Sequence, residues 1–206
     1  MATVELEQQA PFISENVTDT DISLADFLRL YADVEDGYKY EYNNGKIEKT
    51  KSMDQLQIIF FDVLNRLFST TTLYEAGGVF TQETDMRTSK SQLRRPDLAI
   101  YSFEQKIKML KGENQVALWG GEVISSNDKA NNINLKTEEY FNAGVLVVWN
   151  IYPASNQIYV YTSPEDVTIC RGKTVCSGQP ALPDFDISAE DLFAYKTMYL
   201  EQEKEK

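Results

Sequence analysis

The sequence predicts an α/β fold in which a mixed central sheet is flanked by helices. Three observations predict it. Apolar residues recur at helical spacing around 24–31 and again over 53–70. Between those stretches, alternating residues surround Asn43-Asn44-Gly45, the pattern of a β-hairpin. Further on, a helical stretch over 131–142 leads into the apolar run Val145 to Trp149, of the kind found in strands buried on both faces.

Taken in order, residues 1–20 are polar and read as a loosely ordered segment. Ser23 is a good N-cap, with Asp26 three residues on, close to a capping box. Leu24, Phe27, Leu28 and Tyr31 then mark a helix. Tyr38 to Tyr42 and Lys46 to Lys49 form the arms of the hairpin. Over 53–70, Leu56, Ile59, Phe60, Val63, Leu64 and Leu67 share one helical face. Strands are expected at 73–86 and 97–101, a basic loop near 103–114, and a strand near 116–124. The helix over 131–142 stops at Gly144, a natural C-terminal cap. A turn at Pro153 to Asn156 leads into a strand over 157–161, and a further hairpin turns near Arg171-Gly172-Lys173. A short helix starts near Ser188, followed by a charged tail. No repeat or linker interrupts the chain, so it divides into the segment 1–20, one domain over 21–195, and the tail 196–206.

Composition narrows the chemistry. A length of 206 residues suits one well-cored domain, and 42% hydrophobic with 25% charged residues is ordinary for a soluble protein. No apolar run approaches a bilayer's thickness, so no membrane partner is expected. The N-terminus MATVELEQQAPF lacks a basic flank and an apolar core, so the expected location is cytoplasmic. Cys170 and Cys176 are too few for a structural zinc site and read as reduced thiols. The chain has no histidine. That excludes Ser-His-Asp and Cys-His nucleophiles and histidine-ligated zinc. Hydrolysis would have to rest on carboxylates, lysine, tyrosine and an oxygen-loving metal such as Mg2+ or Mn2+. Gly172-Lys173-Thr174 resembles the end of a phosphate loop, but Val167 stands where that loop needs a glycine.

The net charge of −12 opposes broad binding to a phosphate backbone. It is unevenly spread. Residues 1–50 carry 11 acids and 4 bases, whereas 87–111 carry 7 bases and 2 acids, flanking Asp97. Such a stretch is either a phosphate-contacting surface or a solvated loop face.

Asp97 follows Pro96 at the start of an apolar strand, and Glu122 lies on another. A strand that leans toward burial seldom carries a carboxylate without a function, because desolvating it is costly. On adjacent strands and one face, the two acids would converge on a single divalent cation. In the commonest site of this kind a lysine follows the second acid by two residues, sharing its face. Here that position is Ile124. The helix downstream offers Lys136, with Tyr140 one turn on. Lys136 reads either as an ordinary surface lysine or as the missing cation; as an accessible side chain, its loss would cost little stability. Lys129, on the preceding loop, is expected to be dispensable. Glu41 is either a fourth site acid or a solvent-facing strand residue. Arg94 and Arg95 are either phosphate contacts or loop surface, and Tyr140 and Trp149 read as core.

Arg95-Pro96-Asp97 through Tyr101 resembles the "RPD" strand of the restriction-endonuclease-like family within the PD-(D/E)XK nuclease superfamily. Glu122 to Ser126 resembles its "EV-S" strand, and Lys136, Tyr140 and Gly144 to Trp149, with Pro153 after them, its "K…Y…GV…W" unit. Tyr40-Glu41 with Gly45 resembles its N-terminal hairpin, and Leu182-Pro183 through Leu192-Phe193 its ending. The resemblance runs from about residue 24 to 195. It departs at Ser126, where the family usually has proline; that alters the loop's rigidity and removes no catalytic group. The resemblance implies a restriction-endonuclease-like fold with the lysine migrated to the following helix. It further implies a Mg2+- or Mn2+-dependent endonuclease acting on DNA, with catalytic Asp97, Glu122 and Lys136, metal on Asp97 and Glu122, and Glu41 as an additional acid. The Val123 carbonyl is a further candidate ligand. The alternative is a non-catalytic nucleic-acid-binding or regulatory protein that keeps the fold. A homodimer is compatible with either.

Overall fold

A computed structural model describes residues 21–194 apart from 32, 53, 54 and 127. The polar segment 1–20, the tail 196–206 and the first two residues of the expected second helix lie outside the described residues.

Helix α1 (Leu24–Tyr31) begins where the cap was expected: the Asp26 amide donates to Ser23 Oγ at 3.1 Å. Its buried face, Phe27 and Tyr31, packs on Tyr40 and Tyr42 of strand β1 (Tyr38–Asn43). Strand β2 (Lys46–Lys51) pairs back antiparallel across Asn44-Gly45. Both turn residues have positive φ (50° and 87°), the conformation an Asn-Gly hairpin turn supplies at least cost. Because successive side chains point to opposite faces, the tyrosines that face α1 leave Lys39 and Glu41 on the other side. All four are buried.

Helix α2 (Gln55–Phe68) buries Phe60, Val63, Leu64 and Phe68. The expected strand over 73–86 is instead a short helix α3 (Thr72–Glu75), then strand β3 (Val79–Thr81) and the start of β4 (Met86–Ser89). Thr71 caps α3, accepting from the Tyr74 amide, and this local bond prevails over strand propensity. Strand β5 (Gln92–Arg94) pairs with β1 and β4 and completes a four-stranded sheet in the order β2-β1-β5-β4. After β6 (Leu98–Tyr101), the expected basic loop is helix α4 (Phe103–Leu110). Ser102 and Gln105 form a full capping box, the signal that the basic charges obscured.

Strand β7 (Trp119–Val123), helix α5 (Ala130–Ala143) and strand β8 (Val147–Tyr152) form a crossover unit, with β7 and β8 parallel. Gly144 ends α5 in the left-handed conformation (φ 108°). Strands β9 (Gln157–Tyr161) and β10 (Val167–Arg171) extend a six-stranded sheet in the order β10-β9-β8-β7-β6-β3. The turn at Arg171 to Thr174 does not make a hairpin. Strand β11 (Val175–Ser177) leaves β10 and pairs with β12 (Asp186–Ser188). Residues 189–194 are helical, and the Asp191 amide donates to Ser188 Oγ at 3.0 Å.

The six-stranded sheet has two covered faces. On one, α2 and the C-terminal segment meet Leu98, Ile100, Trp119, Val147, Trp149 and Ile151. On the other, Tyr140 of α5 packs on Ala99, Tyr101 and Val148. Gly121 lies on the first face, and a Cβ there would stand 2.7 Å from the Trp119 ring and 3.2 Å from Leu98. Gly120 lies on the second, where a Cβ would meet nothing closer than 3.9 Å. Gly121→Ala is therefore expected to destabilise the fold by about 1–3 kcal/mol through overpacking. Gly120→Ala should be neutral or stabilise by up to about 1 kcal/mol, because it restricts the unfolded chain. Chemical denaturation of both variants checks the contrast.

Candidate active site

Sheet register brings the two predicted acids together. Leu98 of β6 pairs with Gly121 of β7, and Ala99 with Gly120. Asp97, one residue before β6, therefore stands beside Glu122. Leu98 and Ile100 belong to the α2 face, so Asp97 falls with Ala99 on the α5 face; Glu122 falls there with Gly120 by the same alternation. The two acids share one face of adjacent strands, next to α5.

Each carboxylate is held in place. The Val123 amide donates to Asp97 Oδ2 at 2.8 Å, and Lys39 Nζ stands 2.6 Å from Asp97 Oδ1. The Tyr140 hydroxyl donates to Glu122 Oε1 in a short hydrogen bond. Lys136 Nζ reaches Glu122 Oε2 at 3.2 Å and Glu41 Oε1 at 2.9 Å. Glu41 Oε1 also accepts from the Arg95 amide at 2.8 Å, and Arg94 Nη1 reaches Glu41 Oε2 at 3.2 Å. Asp97, Glu41 and Lys39 are 3–5% exposed and Glu122 8%. Lys136, with 18% of its side chain exposed, is the cluster's opening toward solvent.

Several readings of the sequence change here. Lys136 does not stand free at the surface; removing it leaves two buried carboxylates without their nearest cation, so its loss is not cheap for folding. Glu41 is a buried member of the cluster and not a solvent-facing residue. Arg94 neither contacts a loop surface nor is open to phosphate. It is buried and spans Glu41, Glu48 and Glu139. Arg95 pairs with Asp85. Tyr140 and Trp149 are fully buried, as expected for core, but the Tyr140 hydroxyl also orients a site carboxylate. Lys39 was not among the candidates. Its one sequence signal is its place between Tyr38 and Tyr40 on a strand whose tyrosines already occupy the other face.

Three buried carboxylates (Glu41, Asp97 and Glu122) face three cations (Lys39, Arg94 and Lys136), while Glu48 and Glu139, with 35% and 16% of their side chains exposed, also reach Arg94. Of the three buried acids, Glu122 is the least well compensated. Burial first, then Asp97 and Glu41, pushes its carboxyl up to about 7 against the pull of Lys136 and Lys39. For Glu41, burial is outweighed by Lys136, Lys39 and Arg94, which hold it down to about 2. Asp97 is also lowered, since Lys39 and Lys136 overcome its burial. A hard divalent cation matches the oxygen donors and the poorly compensated Glu122 carboxyl. Among the described residues no three His, Cys, Asp or Glu side chains converge on one metal position. The chain would thus supply two carboxylates and leave the other positions to water and substrate.

A group whose folded pKa is raised stabilises fully below its unfolded pKa, and the contribution is lost as pH rises through the folded value. For Glu122 that window runs from about 4.5 to about 7. Glu41, being lowered, loses its contribution only as pH falls toward about 2, outside that window. In the absence of added metal, unfolding free energy is expected to fall between pH 5 and 8. Glu122→Gln should flatten that slope, and a parent profile level over the same range would contradict the assignment.

The family model Uma2, described as "Putative restriction endonuclease", matches residues 24–190. Among solved structures, the chain is similar to a putative nuclease belonging to DUF820 from Anabaena variabilis ATCC 29413. The TM-score is 0.72 at 16% identity, covering 84% of this chain and 98% of that one. At that identity the likeness establishes the shared fold. No curated protein matches the chain. The family match spans most of the chain, from the first residue of α1 to the start of the short C-terminal helix, and takes in every residue of the buried cluster. The chain belongs to the Uma2 family of putative restriction endonucleases.

Proposed function

We propose that the chain is a Mg2+- or Mn2+-dependent endonuclease that hydrolyses phosphodiester bonds in DNA. The observation that carries this reading is the convergence of Asp97, Glu122 and Lys136 from two strands and a helix into a buried cluster in which Glu122 is incompletely compensated. Asp97 and Glu122 would hold the metal, with the Val123 carbonyl as a further ligand. When bound, the cation would polarise the phosphodiester and acidify a neighbouring water.

The chain's own groups divide the remaining work. The Val123 amide and the Tyr140 hydroxyl fix the two carboxylates, so little rearrangement is needed when substrate arrives. Lys136 lies at the solvent-facing side of the cluster, where its ammonium would stabilise charge developing on the phosphorane. Glu41 holds Lys136 from behind at 2.9 Å and thereby acts as the additional acid. With Arg94 and Arg95 engaged by acids, the basic stretch leaves Arg87, Lys90, Lys108 and Lys111 exposed for a phosphate backbone. A family described by restriction endonucleases, and a fold shared with a protein described as a nuclease, support nucleic acid as the substrate. Among the described residues no helix is long and apolar enough to cross a membrane.

Incubation with single- and double-stranded DNA, and with RNA for comparison, is expected to give cleavage of DNA with Mg2+ or Mn2+ that a chelator stops. Lys136→Ala should slow cleavage on the order of 10²–10³-fold. Thermal unfolding of the same preparation separates that loss from misfolding. Lys129→Ala is the control, because Lys129 is exposed and makes no side-chain cap to α5. Parent-like cleavage by Lys136→Ala removes Lys136 from the mechanism. A parent that binds DNA and never cuts it replaces this reading with the non-catalytic one.

A further inference from the structure

We propose that Lys39 competes with a divalent cation for Asp97, and so sets how tightly the site holds metal. The inference rests on Asp97 and Glu122 being the metal ligands. Asp97 has two oxygens, and their partners differ in kind. Oδ2 accepts from the Val123 amide at 2.8 Å, a fixed backbone bond of β7. Oδ1 faces the Lys39 ammonium at 2.6 Å, a side-chain contact that can be given up. Oδ1 is thus the oxygen open to exchange, and Lys39 stands on it.

Both cations cannot use that oxygen well. Oxygen–metal distances for Mg2+ are about 2.0–2.1 Å, so an ammonium kept in place would lie within about 5 Å of the metal. In a site this poorly screened the two would repel strongly. Glu122 does not relieve the conflict, because a cation it shares with Asp97 still has to reach Oδ1. Lys39 therefore has to move off Oδ1, and Glu122 and Glu41, the other buried acids of the cluster, give the displaced ammonium somewhere to go. Lys136 is not the competitor, since it bridges Glu122 to Glu41 and does not hydrogen-bond Asp97.

A lysine that merely fills space or steadies the fold would affect stability and leave metal affinity unchanged. Calorimetric titration with Mn2+, and thermal unfolding with and without Mn2+, distinguish the two roles in the full chain. Lys39→Met keeps the buried stem and removes the charge. It is expected to melt below the parent without metal, to bind Mn2+ roughly 10–100-fold more tightly, the size of effect that partners of metal ligands exert, and to gain more in melting temperature from Mn2+. Lys39→Gln removes the charge while keeping a hydrogen bond toward Asp97, and it serves if the methionine variant does not fold. Lys39→Arg keeps the charge and should bind no more tightly than the parent. Parent affinity, or weaker, in the neutral variants overturns the proposal. Parent binding that Asp97→Asn abolishes, with the neutral variants unchanged, removes the competition alone. A parent that binds Mn2+ no better than Asp97→Asn removes the metal site itself, and the competition with it.

Discussion

Burying charge is costly unless each charge finds a partner, and that cost shapes the half of this protein that faces α5. Glu41, Asp97, Glu122, Lys39, Arg94 and Lys136 are packed into one cluster contributed by both main sheets and a helix. No pair in it is independent. Lys136 serves two acids, Arg94 serves three, and the position of Asp97 depends on a backbone amide of the neighbouring strand as well as on Lys39. Removing one partner from a buried pair typically costs about 3–5 kcal/mol. The cluster therefore acts as a lock between the four-stranded sheet, the six-stranded sheet and α5, and the same lock sets the geometry of the site.

One acid of the lock is incompletely compensated, and this links stability to function. A cluster built only for stability would be expected to compensate every buried acid or to be replaced by apolar packing. This one leaves Glu122 with a raised pKa although three cations face its three buried acids. Preorganised, partly uncompensated carboxylates are what a weakly held hard cation requires. The structure keeps them oriented through Tyr140 and Val123, without relying on the cation to assemble them.

Features that depend on neighbouring residues were legible in the sequence. The Ser23 cap, the Asn-Gly hairpin, and the α5–Gly144–β8 unit follow from local bonds and short periods, and all three form. Asp97 and Glu122 were legible as carboxylates at apolar strands, and Lys136 through family resemblance. Features that depend on distant pairing were not. Strand β5 is three residues long and exists because β1 and β4 flank it. The burial of Lys39 and Arg94 follows from the four-stranded sheet closing over α5, so their charges read as surface until that closure is known. Helix α4 is a different case: its capping box was present in Ser102 and Gln105, but a run of lysines outweighed it.

The central claim is that this cluster receives one divalent cation on Asp97 and Glu122. Anomalous diffraction from crystals grown with Mn2+ tests it most directly. The account predicts one Mn2+ peak bonded to Asp97 Oδ1 and a Glu122 oxygen at roughly 2.0–2.6 Å, with the Lys39 ammonium moved off Asp97. A peak elsewhere, or a cluster with the Lys39–Asp97 contact intact at saturating Mn2+, would contradict it.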